Sequence, residues 1–91
     1  MVSRTVYLDA RRLKQRAEAH EYLSSMLSFP DYYGRNLDAL EDCLSEMTDL
    51  RLVLMHEKEA ALEQTYGSRI VQVLEECGLH CPGVRFEKMT E

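Results

Sequence analysis

Glycine, proline and long apolar runs are all scarce in this sequence, and the shortages of glycine and of apolar runs each exclude a class of function. Its 91 residues contain four glycines and two prolines. The glycines are scattered, so no phosphate-binding glycine loop is present. The longest apolar run, from Leu52 to Met55, is far shorter than the about 20 residues of a membrane-spanning helix. The first residues lead into an alternating segment rather than an apolar signal-peptide block. We therefore expect one soluble domain, residues 1–91, that acts in the cytoplasm.

Cysteine is also scarce, with three residues in the whole chain. An odd number of cysteines without an export signal indicates reduced thiols. Cys77 and Cys81 flank His80, but a structural zinc site needs a second pair of ligands. Neither Cys43 nor the other histidines supply such a pair. We expect no metal and no cofactor, and a disulfide between Cys81 and either of the other two cysteines only after oxidation in vitro.

No group of residues predicts catalysis. The serines near the end of the first predicted helix lack the sequence motif of a nucleophile. Asp38 and Asp42 could formally act as acid and base, as in a glycosidase, but so small a chain has little room for the deep cleft that such a pair requires. His20 has no nucleophile or metal ligand nearby in sequence, so we interpret it as a hydrogen-bonded core histidine. The chain is therefore not expected to be an enzyme or to have a small-molecule substrate.

Hydrophobic spacing predicts three strands and four helices in the order β-α-α-β-α-α-β. The predicted elements are a strand over Thr5–Leu8, a helix from an N-cap at Asp9 to about Leu27, a helix over Leu37–Met47, a strand over Leu50–Met55, a helix over Glu57–Gln64, a helix over Ser68–Cys77 that stops at Gly78, and a strand over Val84–Lys88. The predicted buried face of the first helix consists of Leu13, Ala17, His20, Leu23 and Leu27. Helical crossovers between successive strands favour parallel pairing, so we expect a two-layer α/β fold with a three-stranded parallel sheet and the helices on one face.

The second predicted helix carries a concentration of negative charge. Between Leu37 and Leu50 there are five carboxylates and no lysine or arginine, and the net charge of the whole chain is -5. The carboxylates belong to Asp38, Glu41, Asp42, Glu46 and Asp49. On a helix, one face would carry Leu37, Leu40, Leu44 and Met47, and the opposite face would carry Asp38, Glu41, Asp42 and Ser45.

This acidic face is unfavourable for the helix itself. Asp38 lies in the first turn and complements the helix dipole, but Asp42 and Glu46 have no such explanation. Like charges one turn apart cost a helix about 0.2–0.5 kcal/mol. A solvated helix face is the ordinary alternative, although such faces usually mix both signs of charge. The pattern therefore favours a basic protein as partner and disfavours nucleic acid or an anionic membrane.

The segment before this helix contains two adjacent tyrosines. A proline and a glycine predict a loop from Ser28 to Arg35, and Asn36 is a suitable N-cap for the helix that follows. Aromatic side chains beside a charge cluster are typical of interface anchors. We expect Tyr33 to pack on the core and Tyr32 to point outward.

The run Phe29-Pro30-Asp31-Tyr32-Tyr33-Gly34-Arg35-Asn36-Leu37-Asp38-Ala39-Leu40-Glu41-Asp42-Cys43-Leu44 closely resembles the barstar family of bacterial intracellular ribonuclease inhibitors. The resemblance continues through the second strand and the fourth helix, and it weakens after Gly78. It implies that the loop and the second helix block the active site of a small guanyl-specific ribonuclease. The partner-binding residues implied by the resemblance are Tyr32, Tyr33, Gly34, Asn36, Asp38, Glu41, Asp42, Ser45, Glu46 and Glu76.

The resemblance also implies roles for these residues. Tyr32 would pack at the edge of the active site, and Asp38 and Asp42 would enter its basic pocket, with Asp42 where an RNA phosphate would bind. Two positions depart from the family, because Glu41 and Met47 stand where barstar has tryptophan. A ribonuclease or ribonuclease-like toxin with a more basic rim would suit these residues. A barstar-like module that binds a different basic toxin or a regulatory partner is the open alternative, and the sequence does not identify the partner.

Overall fold

Within residues 4–89, the part of the chain described by a computed structural model, three strands and four α-helices follow one another in the predicted order. They are β1 (Arg4–Asp9), α1 (Arg16–Leu27), α2 (Leu37–Ser45), β2 (Leu50–Met55), α3 (Glu57–Ala60), α4 (Tyr66–His80) and β3 (Val84–Lys88), with a 3-10 turn over Ala10–Arg12. Two helices separate each strand from the next, which allows the long crossover that parallel strands require. The predicted α/β class and element order are confirmed.

The sheet has β2 at its centre, paired in parallel with β1 on one side and with β3 on the other. The register places Val6, Leu52 and Phe86 side by side. All three contribute to the core or pack against it, whereas Tyr7, one residue along β1, is 47% exposed. Because successive residues of a strand point to opposite faces, one face of the sheet packs against the helices and the other is open. The two-layer arrangement is therefore confirmed.

The core between the two layers consists mainly of leucine. The largest fully buried side chains are Leu8, Leu13, Leu23, Leu27, Leu40, Leu44, Leu52, Leu54, Ile70, Leu74 and His20. Burial of each large aliphatic side chain contributes about 1.5–3 kcal/mol relative to exposure. Leu40 and Leu44 come from α2, which packs against α4. No helix within residues 4–89 is long and apolar enough to cross a membrane.

The first helical region differs from the prediction. The carboxylate of Asp9 caps the 3-10 turn by accepting a hydrogen bond of 2.9 Å from the backbone N–H of Arg11, and α1 begins only at Arg16. Of the predicted buried face, Leu13, His20, Leu23 and Leu27 are buried, so the prediction is confirmed at these four positions and wrong at the fifth. Ala17 is exposed, and Ala19 is buried in its place.

The helices after β2 also differ from the prediction, in both length and boundaries. α3 ends at Ala60 because Ala61 adopts a left-handed conformation with φ of 50°. α4 then extends from Tyr66 to His80 and includes both Gly67 and Gly78, so the predicted stop at Gly78 is wrong. A Cβ atom on Gly67 would lie 2.7 Å from the backbone oxygen of Leu13. These glycines therefore permit close packing rather than ending the helix.

Candidate functional site

The loop between α1 and α2 presents one tyrosine to solvent and buries the other. Tyr32 is 86% exposed, while Tyr33 is buried and packs on Phe29 with their ring centroids 4.7 Å apart. The backbone N–H of Tyr33 donates to the carbonyl oxygen of Pro30 at 2.9 Å, which closes a turn around Tyr32. The expected division between the two tyrosines is confirmed.

His20 of α1 lies below this loop and is fully buried. Its Nδ1 atom forms a hydrogen bond of 2.7 Å with the hydroxyl of Tyr33, and its Nε2 atom forms one of 2.7 Å with the hydroxyl of Tyr66 at the start of α4. The interpretation of His20 as a hydrogen-bonded core histidine is confirmed. Burial lowers its pKa, and the positive charges of Arg16 and Arg35 lower it further, so the ring is neutral at physiological pH.

Asn36 starts α2 as predicted. Its side-chain oxygen accepts a hydrogen bond of 2.7 Å from the backbone N–H of Ala39, and its side-chain nitrogen donates to the carbonyl oxygen of Gly34 at 3.4 Å. Arg35, just before the cap, adopts a left-handed conformation with φ of 54°. The cap fixes the direction in which α2 leaves the loop.

The outer face of α2, together with Glu46 at its C-cap, forms what we call the acidic ridge, which consists of Asp38, Glu41, Asp42, Ser45 and Glu46. All five residues are exposed, and the helix buries Leu40 and Leu44 on its other side. No lysine, arginine or histidine of residues 4–89 forms an ion pair with a carboxylate of the ridge. The hydroxyl of Ser45 donates to the backbone oxygen of Asp42 at 2.8 Å, so the Ser45 oxygen itself can still accept a hydrogen bond.

The negative potential of the ridge extends to two cysteines of the helical layer. Burial raises the pKa of Cys43, and the charges of Glu46 and Asp42 raise it further. Burial also raises the pKa of Cys77 to about 12, with smaller contributions from Cys81 and from the charge of Glu41. The charge of the ridge therefore adds to the effect of burial at both thiols.

Glu76 and Asp49 are acidic residues at other places in the fold. Glu76 is exposed on α4, where its carboxylate accepts a hydrogen bond of 3.5 Å from the side chain of Gln72. Asp49 lies in the connection from α2 to β2 with φ of 54°, and its backbone oxygen accepts a hydrogen bond of 2.7 Å from the N–H of Arg4. Asp49 also borders an open cavity at the edge of the sheet, together with Arg51 and Arg85. It is therefore the one predicted carboxylate of the acidic segment that does not belong to the ridge.

The structure brings together most of the sequence-predicted residues. Tyr32, Gly34 and Asn36 are placed by the loop, and the ridge residues follow directly on α2. Sequence reasoning missed Tyr66, which has no local signal because it is 46 residues from His20 in the chain. Within the described part of the chain, no group of three or more His, Cys, Asp or Glu residues could hold a metal ion. What the arrangement can do chemically is bind positive charge along a rigid helix.

An exposed aromatic side chain, together with an acidic helix that has no ion-pair partner among the described residues, is typical of small protein-binding proteins. The family model described as Barstar (barnase inhibitor) matches residues 3–87, and the chain belongs to the barstar family. It is also 38% identical over 76 residues to a protein of Bacillus subtilis (strain 168) described as "Putative ribonuclease inhibitor YrdF", covering 80% of this chain and 84% of that protein. Both comparisons support ribonuclease inhibition, and barstar-family proteins are inhibitors rather than enzymes.

Proposed function

We propose that this chain inhibits a small ribonuclease with a basic active site by placing the acidic ridge in that site. The observation that carries this proposal is the set of four exposed ridge carboxylates, none of which has an ion-pair partner within residues 4–89. A pocket that binds RNA phosphate concentrates arginine, lysine and histidine. Carboxylates on a rigid helix can occupy the positions of those phosphates without being cleaved.

Each part of the surface has a proposed role in the complex. Asp38 and Asp42 enter the catalytic pocket, with Asp42 at the phosphate position. Tyr32 packs at the edge of the pocket, and Glu76 on α4 contacts a cation on its rim. Asn36 offers its side-chain amide beside the start of the helix.

The remaining residues support or extend this contact. Ser45 and Glu46 continue the ridge along α2. Tyr33 and Gly34 hold the loop that carries the exposed tyrosine. Inhibition then results from blockade of the active site, with no chemical step.

The charge of the ridge also determines how the partner arrives. Opposite charges on two proteins speed their encounter at low salt, and the barnase–barstar complex of this same family is itself an example of such steering. Glu41 and Glu46 add negative charge to the ridge, so the proposed partner has more cations around its pocket than the family's own enzyme. We propose that the chain acts in the cytoplasm, where it protects its host from a ribonuclease or ribonuclease-like toxin.

A second candidate function is a module that binds a different basic toxin or a regulatory protein. Glu41 favours it, because this exposed glutamate stands where the resemblance to barstar places a tryptophan anchor. Capture of a basic protein without ribonuclease activity from the source organism, combined with no inhibition of any ribonuclease tested, would select this function over the first.

The direct test is a titration of a small basic guanyl-specific ribonuclease with the chain while RNA cleavage is followed. We expect cleavage to be lost at a one-to-one ratio. The double variant Asp38→Asn/Asp42→Asn should lose inhibition, because it removes both charges from the proposed pocket. The matched control Asp49→Asn/Glu63→Gln also removes two exposed carboxylates, but from outside the ridge, and it should inhibit like the unmodified chain. Equal loss in the two double variants would contradict the proposed site.

A further inference from the structure

The contact of His20 with two tyrosines connects three separate parts of the fold. Tyr33 belongs to the loop that carries Tyr32, His20 belongs to α1, and Tyr66 begins α4. The imidazole ring contacts both phenol rings, with centroid distances of 5.8 Å to Tyr33 and 5.5 Å to Tyr66. None of the three side chains is part of the acidic ridge.

The proton positions in this triad can be inferred from burial. A neutral imidazole has one nitrogen that donates and one that accepts. The hydrogen bond between Nδ1 of His20 and the hydroxyl of Tyr33 is buried, and among the described side chains His20 is the one that bonds to this hydroxyl. If Nδ1 carried the proton, the hydroxyl hydrogen of Tyr33 would be buried without an acceptor, which is unfavourable. Tyr66 is only partly buried and can direct its own hydroxyl hydrogen to solvent. The ring therefore carries its proton on Nε2.

The loop above this triad needs an anchor because its backbone is strained. Ser28 at its start and Arg35 at its end both have left-handed conformations, with φ of 55° and 54°. Residues other than glycine adopt this region rarely and at a cost in free energy. The loop backbone forms one internal hydrogen bond in its middle, from Tyr33 to Pro30. Phe29 and Tyr33 are the two buried side chains of the loop, and Tyr33 is the one whose hydroxyl forms a hydrogen bond with the buried His20.

We propose that His20, as the Nε2–H tautomer, is a positioning residue that holds the loop in its partner-binding conformation by accepting from Tyr33 and donating to Tyr66. This inference rests on the proposed function for the identity of the partner, whereas the conformation of the loop in the free chain does not depend on it. Without the Tyr66 hydroxyl, the Nε2–H of His20 loses its acceptor, and the ring loses one of the two hydrogen bonds that fix its orientation. The loop then samples other conformations, and affinity falls by the fraction of molecules that are no longer ready to bind.

The experiment uses Tyr66→Phe, which removes one hydroxyl, with Tyr22→Phe as the matched control. The hydroxyl of Tyr22 is also partly buried and accepts a hydrogen bond of 2.8 Å, but from the backbone N–H of Asp9, away from the loop. Three readouts are compared: the ¹⁵N chemical shifts of the His20 ring, amide hydrogen exchange at Tyr33 in the free chain, and inhibition of a small basic guanyl-specific ribonuclease.

We expect the unmodified chain to show an unprotonated Nδ1 and a protonated Nε2 at pH 7. Tyr66→Phe should speed exchange at the Tyr33 amide and weaken inhibition about threefold to tenfold, as loss of one hydrogen bond predicts. Tyr22→Phe should leave both the exchange of the Tyr33 amide and the inhibition unchanged, even if it lowers the melting temperature. The reverse tautomer, or unchanged exchange in Tyr66→Phe, would overturn the inference. If Tyr66→Phe does not fold, the tautomer of the His20 ring in the unmodified chain still tests the inference, because a proton on Nδ1 would contradict it. Failure of the unmodified chain to inhibit contradicts the proposed function alone, because exchange and tautomer are measured without a partner.

Discussion

Arg35, the residue before the cap of α2, forms an ion pair with Glu21 of α1 and not with the acidic ridge. Its backbone has a left-handed conformation at this point. The cation nearest in sequence to Asp38 is therefore engaged with a carboxylate of another helix. Both partners are exposed, so the pair contributes little to stability. Its consequence is that Arg35 does not neutralise the charge of the ridge, which has no ion-pair partner among residues 4–89.

The first prediction concerns the division of roles among the acidic residues. Asp42→Ala should weaken binding of the partner ribonuclease about 100-fold or more, because it leaves cations of a closed pocket without a partner. Asp49→Ala removes the same kind of charge from the connection to β2 and should weaken binding less than about threefold, as a rim charge does. Isothermal titration calorimetry of both variants against one ribonuclease measures the difference. Similar losses in the two variants would contradict the assignment.

The second prediction concerns ionic strength. The distance over which charges interact falls from about 10 Å at 0.1 M salt to about 3 Å at 1 M. The association rate with a basic partner should therefore fall about tenfold or more over that range, while dissociation changes less. Stopped-flow mixing of the two proteins at several salt concentrations measures both rates. An association rate independent of salt would show that the ridge does not steer the partner.

The third prediction concerns pH and the buried histidine. The pKa of His20 is lowered from 6.5 in the folded chain, chiefly by burial, with Arg16 and Arg35 as the nearby positive charges and the hydroxyls of Tyr33 and Tyr66 as its partners. The unfolded chain therefore binds a proton more readily than the folded chain does. This contribution to stability is complete above pH 6.5, and it is lost as pH falls from there through the lowered pKa of the folded state.

Urea unfolding between pH 5 and pH 8 tests this dependence. The free energy of unfolding of the unmodified chain should decline below about pH 6.5. In His20→Gln this part of the decline should be absent, although the variant is less stable at pH 8. A variant that retains the full decline would assign it to other groups.

The fourth prediction concerns Gly67, in the first turn of α4. Alanine in place of glycine usually stabilises a helix by up to about 1 kcal/mol. At this position a Cβ would lie 2.7 Å from the backbone oxygen of Leu13 and 2.8 Å from a methyl group of Leu62. Gly67→Ala should therefore destabilise the fold by about 1–3 kcal/mol. Gly34→Ala, where the closest atoms lie 3.3 Å away in an exposed loop, is the control and should cost less. Urea unfolding of both variants measures the two changes.

Much of the fold could be predicted because the hydrophobic pattern and the element type agree. β2 was predicted with its actual bounds, Leu50–Met55, since its apolar residues are dense enough for a central strand. The start of α1 could not be predicted in the same way, because an aspartate that caps a 3-10 turn has the same local sequence signal as one that caps an α-helix. The left-handed Ala61 has no sequence signature at all, and the helix it ends was therefore predicted too long.

The candidate site shows a similar contrast. The opposite faces of α2 follow from helical spacing and from the cap at Asn36, which are local. The contact between His20 and Tyr66 joins residues 46 positions apart and depends on how α1 and α4 pack. The absence of ion pairs between the ridge and the rest of residues 4–89 likewise depends on where Arg35 points. Local spacing cannot supply this information.

α2 combines core residues and residues that we propose for recognition in nine positions, with Leu40 and Leu44 inward and its carboxylates outward. Substitutions on the outer side can change what the helix recognises while the folding energy from Leu40 and Leu44 is retained. An inhibitor built in this way can follow the evolution of its target by surface changes alone. The same separation makes the helix a suitable starting point for retargeting, in which a library varies the outward positions and every member keeps the same scaffold.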